Sequence, residues 1–193
     1  IDLDKDGFPF MTWKEGLVGG VPARVFRISF TGELSYEVNV QADYAMGVLE
    51  KIVQVGKKYN LTPYGTETMH VLRAEKGFII VGQDTDGSMT PDDLNMGWCV
   101  GRTKPFSWIG WRGMNREDCV REERKQLVGL KPIDPNVWLP EGAQLVFDPK
   151  QTIPMKMVGH VTSSYAHNSL GYSFAMGVVK GGLKRIGERV FSP

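Results

Sequence analysis

Residues 24–40 read Arg-Val-Phe-Arg-Ile-Ser-Phe-Thr-Gly-Glu-Leu-Ser-Tyr-Glu-Val-Asn-Val. Polar and apolar residues alternate over 24–30 and again over 36–40, which is the period of a β-strand with one buried face. Between the two runs lies Thr-Gly-Glu-Leu, residues 31–34, which is expected to turn the chain. The stretch therefore predicts a β-hairpin.

Helical patterns follow the hairpin. Apolar residues recur at helical spacing over 43–58 and over 65–76, and Gly77 is a suitable residue to end the second helix. Thr90-Pro91-Asp92-Asp93 is typical of a helix start, since it combines a cap, a proline in the first turn and acidic residues. A charged fourth helix is predicted over 113–124.

The character of the sequence changes after residue 125. Short β-prone segments are separated there by Pro, Gly and Asn turns, at 126–130, 144–147, 157–161 and 174–179. This pattern predicts a small antiparallel β-barrel. The fold class is therefore α+β, with a first domain at 1–115 and a β-barrel domain at 116–193 that is truncated at its end.

Composition excludes several classes of protein. The chain has 193 residues and a formal net charge of +1, so no basic excess indicates a nucleic-acid partner. Two cysteines without metal-type spacing argue against a disulfide-built or zinc-built fold and favour a reducing, cytoplasmic location. No apolar run approaches the ~20 residues that span a bilayer, so no membrane association is expected.

Glu37 and Arg73 are the first candidate site residues. A carboxylate fixed on a strand, such as Glu37, can accept both N–H groups on the edge of a flat heterocycle in a bidentate pair. Glu37 also fits a solvated hairpin glutamate. Arg73 lies in an otherwise apolar helical stretch, where it needs a partner. That partner is either a structural carboxylate or an acidic ligand.

Other motifs are set aside. The stretch 84–87 resembles the start of a calcium loop, but its glycine comes too early and the closing glutamate is absent. Residues 180–185 lack the frame of a phosphate-binding loop. Neither a metal site nor a serine-nucleophile triad is expected, because the histidines are scattered and no acid partner lies near His160; they are His70, His160 and His167.

Five stretches in order along the chain resemble the glycine-cleavage aminomethyltransferase superfamily; they are 30–37, 72–77, 82–86 with 90–91, 106–110 and 159–163. Further stretches are similar to one branch, the alpha subunits of bacterial heterotetrameric sarcosine oxidases; they are 8–13, 21–25, 162–165 and 180–184. The resemblance implies that the chain contains the second part of an aminomethyltransferase-like folate-binding domain, followed by the small antiparallel β-barrel.

The resemblance also implies an activity. In that branch the domain binds tetrahydrofolate, which takes the one-carbon unit from oxidised sarcosine to give 5,10-methylenetetrahydrofolate. Flavin and NAD are expected only in other domains or subunits, and those subunits are the expected protein partners. Two alternatives stay open. One is a stand-alone aminomethyltransferase or dimethylglycine-type demethylating enzyme, and the other is a non-catalytic subunit-interaction module.

The resemblance assigns roles to three residues. Glu37 matches the family glutamate that holds the pterin, and Arg73 matches an arginine near the folate site. Phe30 stands where many relatives have a tyrosine, which leaves an apolar wall without the hydroxyl. The family aspartate credited with catalysis lies in the half of the domain expected before Ile1, so the catalytic residue is unknown. Both ends look cut, and we expect an incomplete domain that is inactive alone.

Overall fold

A computed structural model of the chain describes residues 1–4, 6–166 and 168–193. His167 lies outside the described residues. The chain divides into two compact units, which we call unit 1, residues 1–76, and unit 2, residues 77–193. These units group residues by their spatial contacts, and the expected domain division at 115/116 stays a prediction.

Unit 1 contains a three-stranded antiparallel sheet with the order β1–β2–β3; its strands are Trp13–Val18, Val21–Phe26 and Glu37–Asn39. Pairing of β2 with β3 confirms the predicted hairpin, although β2 ends at Phe26 and a loop of residues 27–36 follows. β1 was not predicted. It forms because Gly19 and Gly20, both with positive φ, turn the chain directly back into β2.

The two long helices are confirmed. Helix α1 spans Ala45–Gly56 and α2 spans Thr66–Glu75. Gly77 adopts a φ of 74°, a left-handed conformation that suits glycine and ends a helix. The apolar stripe expected on α1 is largely exposed, with Met46 65% and Leu49 52% accessible, while Val48 is buried.

The two shorter helices were predicted wrongly. Thr90 and Asp93 do exchange cap-like hydrogen bonds, but the segment makes a single turn because Asn95 takes a left-handed φ of 57°. The expected helix over 113–124 is two short ones, α3 (Trp111–Met114) and α4 (Glu117–Val120). The side chain of Asn115, just after α3, donates to the Trp111 carbonyl and competes with continued helix.

Unit 2 holds four strands, which are β4 (Lys125–Leu130), β5 (Gln144–Leu145), β6 (Gly159–Tyr165) and β7 (Phe174–Lys180), and they confirm the four β-prone segments. They form an antiparallel sheet with the order β4–β7–β6–β5. Its core is an aliphatic cluster, which consists of Leu145, Val158, Val161, Ala175 and Val179. In the described part of the chain, no helix is long and apolar enough to cross a membrane.

Candidate functional site

Glu37 opens strand β3 and lies directly opposite Phe26 of β2. Its side chain is exposed, and Asn39 Nδ2 donates a 3.0 Å hydrogen bond to Glu37 Oε1. Residues two apart on a strand project from the same face, so the Glu37 and Asn39 side chains lie side by side on the sheet and the hydrogen bond joins them there. Among the described residues Asn39 is its hydrogen-bond partner, which leaves the second carboxylate oxygen available to a ligand.

Phe30 lies on the loop between β2 and β3, where its side chain is 46% exposed. The loop is ordered by its own contacts, since Ser35 Oγ donates to the Ile28 carbonyl at 2.8 Å and Thr31 is buried. Glu33 accepts from Lys76 at 2.9 Å, directly after α2. These contacts give the loop that carries Phe30 a fixed conformation.

Arg73 differs from the other two expected site residues because it is fully buried, at 0% exposure. It lies in the last turn of α2, next to the buried Ala74. A guanidinium inside a protein is tolerated only when it has polar partners, and Arg73 does interact with other residues. Because its side chain is buried, Arg73 is better placed to support the structure beneath a site than to contact a ligand at the surface.

Asp84 of unit 2 forms a polar cluster that the sequence did not reveal. The buried carboxylate accepts hydrogen bonds from Thr162 Oγ1 and Ser163 Oγ, both at 2.6 Å, and from the Ile80 backbone N–H at 2.9 Å. Gln83 Nε2 also donates to Ser163 Oγ at 3.1 Å. Two of the stretches that carry the family resemblance are therefore bonded to each other. Asp84 is a structural acceptor in this loop.

A second buried pair in unit 2 joins Arg124 and Asp93. The guanidinium donates from Nη2 and Nε to the Asp93 carboxylate, at 2.7 to 3.0 Å, and from Nη1 to Asp118 at 3.0 Å. The hydrogen bonds that Arg124 donates to Asp93 raise the pKa of Arg124, against the effect of burial. Arg124 lies directly before β4, so these bonds connect the 90–93 turn and helix α4 to the start of that strand. The Arg124–Asp93 pair therefore supports the fold.

No group of three His, Cys, Asp or Glu side chains that would hold a metal ion occurs within residues 1–4, 6–166 and 168–193. The cysteines Cys99 and Cys119 are both free thiols. The exposed polar side chains on the sheet of unit 1, which include the Glu37 carboxylate, are the candidate binding surface.

Several curated proteins are similar to this chain in sequence. Of the curated relatives, sarcosine oxidase subunit alpha from Corynebacterium sp. (strain P-1) is 48% identical over the whole chain, and the protein of the same name from Rhizobium meliloti (strain 1021) is 36% identical over 98% of it. Human mitochondrial dimethylglycine dehydrogenase is 28% identical over 98%. The chain spans about a fifth of the length of each of these relatives.

A solved structure supports the fold alone. The glycine cleavage system aminomethyltransferase T from Bartonella henselae superposes with a TM-score of 0.74 at 23% identity, covering 98% of this chain and 50% of that one. Two family models match in order, the GCVT N-terminal domain over residues 1–104 and the glycine cleavage T-protein C-terminal barrel domain over 125–193. The chain therefore belongs to the glycine cleavage T-protein family.

Proposed function

We propose that this chain forms part of the tetrahydrofolate-binding region of a sarcosine oxidase alpha subunit. The observation that carries the proposal is the exposed Glu37 carboxylate, held on a strand by Asn39 with an oxygen left for a ligand. Sequence identity of 48% to a sarcosine oxidase subunit alpha, against 28% to a dimethylglycine dehydrogenase, supports the branch.

The chemistry of Glu37 fits a pterin. The edge of that ring system carries a ring N–H beside an amino group. The Glu37 carboxylate can accept both in charge-assisted hydrogen bonds, one on Oε2 and one on the second lone pair of Oε1, whose first lone pair accepts from Asn39. The hydrogen bond from the Asn39 amide favours one orientation of the Glu37 carboxylate before any ligand arrives. A preorganised acceptor loses less side-chain entropy on binding than a mobile one.

Phe30 and Arg73 complete the proposed binding set in different ways. Phe30 presents an exposed ring on an ordered loop and supplies an apolar wall. Arg73 is buried in α2, so its proposed role is to fix the structure behind the binding surface. No catalytic residue is assigned to this chain.

When bound, tetrahydrofolate would supply the nitrogen atoms that take up the one-carbon unit from oxidised sarcosine, giving 5,10-methylenetetrahydrofolate. The residues of this chain bind and orient it, and positioning of this kind contributes to rate by removing the entropy of bringing reactants together. Flavin, NAD and the remaining subunits belong to other parts of the proposed enzyme. The two free thiols favour a reducing, cytoplasmic setting.

Calorimetric titration of tetrahydrofolate into the full-length gene product tests the proposal. Glu37→Gln should weaken binding by about 10- to 100-fold, since a hydrogen bond to a charged group contributes roughly 1.5–3 kcal/mol. Glu50→Gln is the matched control, because Glu50 is another exposed glutamate of unit 1 but lies on helix α1 and has no part in the proposed binding surface. An absence of binding, or equal affinity for both variants, would contradict the proposal.

Subunit interaction is a second candidate function, favoured by exposed apolar side chains in residues 98–109 of unit 2. Trp98, Phe106 and Ile109 are 80%, 66% and 102% exposed. Large apolar side chains of this kind can contribute to a protein contact site when they form one surface. A gene product that binds no folate but copurifies with partner subunits, and loses them on Phe106→Ser, would favour this candidate.

A further inference from the structure

We propose that Trp13 and Phe26 form an aromatic wall beside Glu37, against which the flat ring of the bound heterocycle packs. This inference rests on the proposed function and assigns two further binding residues to the same surface. It follows from the sheet register, from which face of the sheet is buried, and from the contacts that orient the Trp13 indole.

The three residues form one row across the sheet. Trp13 of β1 pairs with Phe26 of β2, and Phe26 pairs with Glu37 of β3. Residues directly opposite each other in antiparallel strands point to the same face. The indole, the phenyl ring and the carboxylate therefore project side by side, across two strand spacings or about 10 Å.

This face points away from the core of unit 1. The neighbouring positions in β2 project to the opposite face and are buried, with Val25 at 2% and Ala23 at 8% exposure. Trp13 is 52% exposed, and Glu37 is exposed as well. A half-exposed tryptophan and an available carboxylate, on either side of Phe26, offer a ligand apolar area and hydrogen-bond acceptors on one face, and small-molecule sites combine these two features.

Contacts on the same face orient the indole. The Trp13 and Phe26 rings lie 6.4 Å apart at 41°, and the Arg24 guanidinium lies 4.8 Å from the Trp13 ring centre. Arg24 is held in turn by Glu15, with a 2.7 Å ion pair. The wall is therefore set by side chains of β1 and β2 before a ligand binds, as the Glu37 carboxylate is set by Asn39.

The two groups would divide the recognition of a flat heterocycle. Glu37 accepts hydrogen bonds along the edge of the ring, which fixes its direction, and the aromatic row provides packing for the ring itself. Because aromatic contacts depend on ring geometry beyond apolar area alone, replacing Trp13 with leucine should cost affinity even though an apolar side chain remains. Phenylalanine at the same position should retain most of the affinity.

The test uses the full-length gene product, tetrahydrofolate as the probe, and both calorimetry and tryptophan fluorescence. Trp13→Leu should weaken binding by about fivefold to tenfold. Trp13→Phe should bind within about twofold of the unchanged protein but lose much of the ligand-induced quenching of tryptophan emission. Trp138→Leu is the matched control, since Trp138 is 53% exposed and lies in unit 2. It should change neither the affinity nor the absolute amplitude of the quenching, although the total tryptophan emission falls with the lost indole.

The outcomes separate this inference from the function on which it rests. If the unchanged protein binds no tetrahydrofolate, the proposed function fails and the aromatic wall fails with it. If the unchanged protein binds and Glu37→Gln weakens binding, while Trp13→Leu binds as tightly as the Trp138→Leu control, only the wall is overturned. Unaltered quenching in Trp13→Phe would also overturn it, because the emission of a contacting indole must respond to the ligand.

Discussion

The sheets of the two units differ in how they use their faces. In unit 2, strands β6 and β7 are buried along almost their whole length, including Thr162, Ser163 and Ser164. In unit 1, β1 alternates between exposed and half-buried residues, and all three residues of β3 are exposed. The sheet of unit 2 is therefore part of a buried core, whereas one face of the sheet of unit 1 is exposed to solvent. We call this exposed face the open face of unit 1.

This contrast predicts which unit contributes to ligand binding and which contributes to the stability of the fold. Buried carboxylates in unit 2, Asp84 and Asp93, are saturated by protein donors and serve the fold. The Glu37 carboxylate in unit 1 has one side-chain donor and faces solvent. Substitutions in unit 2 should therefore change the free energy of unfolding, and substitutions on the open face of unit 1 should change binding.

The largest effect on stability is expected at Arg124. Arg124→Ala leaves the Asp93 carboxylate buried without its cation, which should lower the free energy of unfolding by about 3–5 kcal/mol. Arg121→Ala is the control, because Arg121 is exposed and its pair with Asp118 should contribute less than about 1 kcal/mol. Urea denaturation measures both, and equal losses would contradict the structural role of the buried pair.

A somewhat smaller loss is expected at Gly159 in β6. A Cβ on this residue would stand 1.9 Å from the Val178 carbonyl oxygen of β7, so the strands must move apart. Gly159→Ala should destabilise the protein by about 3 kcal/mol. Gly129→Ala in β4 has open space around its Cβ and should be near neutral. A Gly159→Ala protein as stable as Gly129→Ala would show that β6 and β7 do not approach so closely.

A modest pH dependence is expected from His160 in β6. Burial, and secondarily Lys125, hold the pKa of His160 below its ordinary value of 6.5, while Asp86 acts weakly in the opposite sense. Because the unfolded chain then binds the proton more readily, the contribution to stability is complete above pH 6.5 and is lost as the pH falls through the lowered folded pKa.

His160→Gln removes this titrating group. Urea midpoints of the unchanged protein should fall more steeply below pH 6.5 than those of the variant. Parallel pH profiles for the two proteins would mean that His160 is as well solvated in the folded chain as in the unfolded one.

The smallest effect on stability is expected on the open face of unit 1. Glu37→Gln should change the free energy of unfolding by less than about 0.5 kcal/mol, since Glu37 is exposed and its Asn39 partner is exposed too. Urea denaturation measures this free energy, and the result is compared with the predicted loss of folate affinity in the same variant. A large destabilisation would show that Glu37 supports the fold, and the contrast between the units would no longer hold.

The sequence predicted the parts of the fold that depend on local patterns. Alternation over 24–40 gave the β2–β3 hairpin, and Gly77 marked the end of α2. The pattern of β1 was too weak, because Glu15 and Gly16 interrupt its alternation and its pairing with β2 makes it a strand. Thr90 and Asp93 do exchange the hydrogen bonds that the pattern predicted, but the pattern could not show that Asn95 would end the segment after a single turn.

The candidate site was predictable only in part, for a similar reason. The chemistry of Glu37 follows from its residue type and its place on a strand. The row from Trp13 to Glu37 depends on register across three strands, which one-dimensional patterns leave open. The Arg124–Asp93 pair joins residues 31 positions apart, and no local rule connects them.

Amide hydrogen exchange of the full-length gene product, with and without saturating tetrahydrofolate, tests the central claim most directly. Binding to the open face should slow exchange in residues 13–39, which form β1, β2, the loop with Phe30 and β3, and should leave the core strands at 159–180 unchanged. Protection confined to 159–180, or none in 13–39 at saturation, would contradict the assignment of folate recognition to unit 1.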